Sequence, residues 1–134
     1  MNKEAIILNG VDDITFSNNN ITLILKDKSP VNSAISVIDV CNNINIKNNN
    51  IYVNSKASYA YAISIPAYNP SRLNYNKALS SGFKITGNTI IMIGTGVTEG
   101  IYSDVLTESE ITGNNINIIS DGAAYGIASC NVIG

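Results

Sequence analysis

The chain has 134 residues with eight basic and ten acidic side chains, a formal charge of -2 and no histidine. That is one domain's worth of sequence, long enough to bury a core, with no basic patch to neutralise phosphates, so nucleic acid is not an expected partner. The missing histidine removes the Ser-His-Asp and Cys-His nucleophilic arrangements in their usual forms. Isoleucine and asparagine together make up roughly a third of the chain. The isoleucines alternate with polar residues, which argues for strands rather than an Asn-rich disordered tract.

The opening MNKEAIILNG has a basic start but too short an apolar run for a secretory signal, and no later stretch reaches the length of a membrane span. These features read either as a protein that acts inside a cell or, the preferred reading, as an excised or truncated piece of a longer one, with residues 1–134 forming a single domain.

One phrase then recurs four times. ITFSNNNITL runs from Ile14 to Leu23 and INIKNNNIYV from Ile44 to Val53, followed by FKITGNTIIM from Phe83 to Met92 and SEITGNNINI from Ser109 to Ile118. Their shared asparagines, Asn19, Asn49, Asn88 and Asn114, lie 30, 39 and 26 residues apart. A second phrase keeps pace with the first: SAIS around Ile35, YAIS around Ile63, EGIY around Ile101 and YGIA around Ile127. One supersecondary unit therefore repeats about every 26 to 30 residues, with an insertion, residues 66–82, in one copy.

Within a unit, Ile14 and Phe16 point one way and Thr15 and Ser17 the other; Ile21 and Leu23 resume the inward set after the asparagines. No apolar stripe of helical period survives a full window. Short strands that cannot bury their apolar face alone predict an all-β parallel solenoid of about four to five coils, with neighbouring coils about 4.8 Å apart. Asn18-Asn19, Asn48-Asn49, Gly87-Asn88 and Gly113-Asn114 break the alternation at one fixed place, where Gly and Asn tolerate a left-handed backbone. In register, the four shared asparagines predict a hydrogen-bonded ladder.

Cys41 and Cys130 are separated by about three coils, or roughly 14 Å, whereas a disulfide needs α-carbons within about 7 Å. Both are expected as free core thiols. They also cannot form a zinc cluster, and GTG at Gly94–Gly96 lacks the rest of a phosphate loop.

Two groups of residues could carry function. Glu99, Asp104, Glu108 and Glu110 lie close in sequence, with Asp121 one coil on, and offer the hard oxygen ligands that calcium takes; the plainer reading is solvated outward positions. No other cofactor is expected. The stronger group is the insertion, which holds the only arginine, Arg72, with Tyr68 and Tyr75; Tyr59 and Tyr61 lie just upstream. Aromatic faces with amide and guanidinium donors suit sugar rings, so a polysaccharide or cell-surface glycan is the expected partner; the alternative is a loop that packs back over its coil. Asn20-Ile21-Thr22 is the chain's only N-glycosylation sequon.

The I-T-G-N-x-I phrase followed by Y-G-I resembles the right-handed parallel β-helix superfamily, which includes pectate lyases and NosD-type proteins. More narrowly it is similar to the β-helix regions of adhesin-like surface proteins of methanogenic archaea. The resemblance covers the chain from about Ala5 onward. It implies a right-handed single-stranded β-helix belonging to an extracellular, cell-surface parent, with a non-catalytic spacer role and glycan contacts. The lyases of this superfamily hold calcium with acidic residues, but nothing in this chain matches a lyase motif residue by residue, and no catalytic residue is transferred. The alternatives are a fragment of a lyase or glycoside hydrolase, and a tailspike-like or filament subunit. Sheet edges left open at the ends imply neighbouring coils of a parent or end-to-end self-association.

Overall fold

The computed structural model describes residues 2–65, 80–104 and 106–129. The chain winds as a parallel β-solenoid of about four turns. Each turn visits three sheets in the same order. The first turn comprises β1 (Lys3–Asn9), β2 (Asp12–Ser17) and β3 (Asn20–Leu25), and the second β4 (Val31–Ile38), β5 (Asn42–Lys47) and β6 (Asn50–Ser55). The third holds β7 (Tyr59–Ile65), the short pair β8 (Ser80–Ser81) and β9 (Lys84–Thr86), and β10 (Thr89–Gly94). The fourth repeats this with β11 (Val97–Ser103), β12 (Leu106–Thr107), β13 (Glu110–Thr112) and β14 (Asn115–Ser120), and β15 (Ala124–Ser129) begins another turn. Among the described residues no helix is long and apolar enough to cross a membrane.

All strand pairs are parallel and link like positions in successive turns. In the first sheet Ile6, Ile35, Ile63, Ile101 and Ile127 stand in one row. In the second sheet Phe16, Ile46, Ile85 and Ile111 do the same, and in the third Ile21, Ile51, Ile90 and Ile116. These inward rows converge on one core. Its middle is dry: Ile44, Ile46, Ile63, Ile85, Ile90 and Ile101 have no exposed surface. Toward the ends, Ile6, Phe16, Ile111 and Ile118 are only partly buried, because a terminal coil has a neighbour on one side.

The outward rows of the third sheet differ from those of the first. Next to the corner stand Asn20, Asn50, Thr89 and Asn115; then Thr22, Tyr52, Ile91 and Asn117; then Ile24, Asn54, Ile93 and Ile119. No residue in these rows is charged.

The asparagine ladder forms between the second and third sheets. The Asn19 backbone N–H and Nδ2 donate to Asn49 Oδ1 at 3.0 and 3.3 Å, and those of Asn49 donate to Asn88 Oδ1, both at 3.0 Å. Asn88 repeats the pair toward Asn114 Oδ1, both at 2.9 Å. Each amide also reaches a main-chain carbonyl: Asn49 that of Phe16, Asn88 that of Ile46 and Asn114 that of Ile85. The residue before each ladder asparagine is left-handed, with φ of 58° at Asn18, 55° at Asn48, 66° at Gly87 and 65° at Gly113.

A second left-handed column, which no shared residue type announces in the sequence, runs through Asp13, Asn43, Gly82 and Glu108. It bends the second sheet and separates β8 from β9 and β12 from β13. In the first two turns this strand stays whole, with Asp12 Oδ1 accepting from the Asn42 backbone and Nδ2. Ser80–Gly82, expected as the end of the insertion, thus belong to a sheet strand and its bend, whereas 66–79 lie outside the described residues. Cys41 is a free, buried thiol whose sulfur accepts from the Val11 N–H at 3.4 Å; Cys130 lies outside the described residues.

The ladder carries a stability prediction. Asn49 and Asn88 are fully buried and each serves two neighbouring coils. Asn49→Ala or Asn88→Ala should lower unfolding free energy by about 2–3 kcal/mol, because buried partners lose their bonds, and Asn19→Ala by less than about 1 kcal/mol, because the part-buried Asn19 side chain only donates to its neighbour. Urea unfolding midpoints at equal slope check the ranking.

Candidate functional site

The first sheet presents four tyrosines, Tyr59, Tyr61, Tyr102 and Tyr125. Along β7, Tyr59 pairs in register with Val97, and Tyr61 with Glu99. Glu99 pairs in turn with Tyr125 on β15, so Tyr61, Glu99 and Tyr125 occupy one row across three turns. Tyr102 follows on β11, and its ring centroid lies 5.2 Å from that of Tyr61 with the planes tilted by 32°. Tyr59 and Tyr125 are about half exposed, at 47% and 50%, and flank the more buried members.

Glu99 sits among them with 9% of its surface exposed, and among the described residues its Oε2 has no hydrogen-bond partner. Burial disfavours the charged form and raises its pKa. The same burial, followed by the Glu99 carboxylate and the neighbouring Tyr102 and Tyr59, pushes the Tyr61 phenol up to about 12. Tyr61 therefore stands as a neutral phenol at physiological pH, and offers a ring face and a hydroxyl.

Of the residues singled out from sequence, Tyr59 and Tyr61 are brought together with Glu99, while Tyr68, Arg72 and Tyr75 lie outside the described residues. Tyr102 and Tyr125 were missed. The repeat itself held the signal for Tyr125, since YAI, EGI and YGI align Tyr61, Glu99 and Tyr125 in one place. The acidic residues considered as calcium ligands are spread over different parts of the fold. Glu99 lies on the outer face of β11 and Asp104 at the corner after it; Glu108 occupies the left-handed bend of the second sheet, and Glu110 on β13 accepts from Thr112 Oγ1 at 2.9 Å. Among the described residues no three His, Cys, Asp or Glu side chains gather to hold a metal. Closeness in sequence is undone because one coil distributes neighbouring residues over different faces.

Chemically the first-sheet surface can stack and exchange hydrogen bonds. The sequon residue Asn20 is exposed on β3, the edge strand of the third sheet, and its Oδ1 accepts from Asn50 Nδ2 at 3.0 Å.

Glu99 gives the fold a pH dependence. With its pKa raised above the ordinary 4.5, ionising it costs the folded state more than the unfolded chain. Its position is free of penalty below that ordinary value, where both states are protonated, and the fold loses stability as pH rises through and above it. Glu99→Gln should therefore gain stability relative to the parent chain as pH rises above that ordinary value and change little below it. Thermal unfolding of both proteins across this range checks it.

Compared with protein families, with curated proteins and with solved structures, the chain matches none.

Proposed function

We propose that this chain is a non-catalytic β-helix segment of an extracellular, adhesin-like surface protein, a stiff spacer that contacts glycans through its first sheet. The observation that carries this reading is the gathering of Tyr59, Tyr61, Tyr102 and Tyr125 around a buried carboxylate, whose Oε2 has no hydrogen-bond partner among the described residues, on one face of a ladder-stapled scaffold. Pyranose rings present apolar faces and hydroxyl edges; tilted phenol rings suit the first, and Glu99 and the phenolic hydroxyls suit the second. The segment carrying Tyr68, Arg72 and Tyr75 leaves β7 immediately after Ile65, next to Tyr59 and Tyr61 in the chain, and joins the same proposal. The partly buried core at each end of the solenoid suits further coils, from the parent protein or from another copy.

Glu99 also supports a second reading, a polysaccharide-cleaving fragment, because a desolvated carboxyl group is the environment of a general acid. One experiment separates the two. Incubation with cell-wall and host polysaccharides, recording protein retention and glycan chain length together, should show retention without shortening. Tyr61→Ala and Tyr102→Ala should each weaken retention about tenfold with unfolding midpoints changed little. Shortened chains, abolished by Glu99→Gln, would establish the enzyme reading instead.

A further inference from the structure

We infer that the outer face of the third sheet is a separate binding surface for an uncharged, extended polysaccharide lying along the solenoid axis. It uses none of the residues of the first-sheet site, so the two can fail independently.

A groove of about 390 Å³ runs across β3, β6 and β10, between the first two outward rows. Its side-chain lining is Asn20 and Thr22, Asn50 and Tyr52, then Thr89 and Ile91. Tyr52 stands in the middle of its row, between Thr22 and the 44%-exposed Ile91. The amides and hydroxyls of Asn20, Asn50 and Thr89 form the adjoining row, and the bond from Asn50 Nδ2 to Asn20 Oδ1 aligns part of it. An apolar strip beside a polar strip is what one edge and one face of a sugar ring require. Successive rungs repeat this pairing about every 4.8 Å, close to the length of one residue in an extended glycan.

Charge and area select the occupant. Since no outward row of this sheet holds an ionised side chain, an ionic polymer or an acidic or basic protein finds no attraction here. Four strands and three rows span about 20 Å by 15 Å, on the order of 300 Å². A stable protein interface needs about 800 Å² per partner, so this face alone does not hold a second copy. A chain of three or four neutral sugars fits it. The strands are already ordered, so binding pays little for immobilising the protein side.

The test is affinity electrophoresis of the whole chain in gels containing hydroxyethylcellulose, a galactomannan or a soluble β-glucan, with polygalacturonate as the charged control. At least one neutral polymer should retard the protein and polygalacturonate should not do so more strongly. Tyr52→Ala should weaken that retardation about tenfold. Thr22→Lys, at an exposed edge-strand position, should fill the groove with the same result should Tyr52→Ala prove poorly folded. Retardation that both variants leave intact overturns the inference, as does stronger binding to polygalacturonate or no retardation by any neutral polymer. Loss on Tyr61→Ala alone also overturns it while leaving the first-sheet reading in place. Concentration-dependent sedimentation abolished by Thr22→Lys would give the face to a second copy and overturn it too.

Discussion

The asparagine column is the constraint on which the rest of this molecule depends. At a corner between two sheets the backbone turns away from its neighbours, and buried N–H groups there need another acceptor. Asn49, Asn88 and Asn114 each supply it, accepting a main-chain N–H from the neighbouring coil while the amide reaches a carbonyl. Asn49 and Asn88 can be fully buried only because these bonds are complete. The ladder also sets register. A slip of one residue between coils would break every rung of it and turn each inward isoleucine row outward.

With register held at one corner, the other corners vary. Asp13, Asn43, Gly82 and Glu108 share a left-handed backbone but no side-chain chemistry. The third turn is longer than its neighbours between β7 and β8, yet Asn88 returns to the ladder with bonds as short as those of the shorter turns. Extra residues placed between sheets leave the stacking untouched, as expected where each coil contacts only its neighbours. The outer faces are then free to diverge. The first sheet collects tyrosines and Glu99, and the third collects asparagine, threonine, isoleucine and Tyr52 without a charge. The result is a rigid core with two chemically distinct faces.

Much of this was legible in the residues. The repeated asparagines and the alternating isoleucines predicted strands, corners, stacking and the ladder, because those features need a particular side chain at a particular place. The left-handed bend of the second sheet was not legible, since positive φ is satisfied there by Asp, Asn, Gly and even Glu. The placement of the acidic run was not legible either. Glu99, Asp104, Glu108 and Glu110 are neighbours along the chain, but a coil turns through two sheets in that distance.

By itself, then, the sequence determined the repeating unit, the inward rows and the amide ladder, all of which follow from local period and from the demand that buried polar groups be paired. Only the tertiary structure decided which outward residues meet. Tyr61 reaches Glu99 and Tyr102 across coils, and Tyr52 lies between Thr22 and Ile91 by the same stacking. Outward side chains are not selected by the core, so the period aligns their positions without fixing their type. Their neighbours are set by register, and register exists only once the coils are stacked.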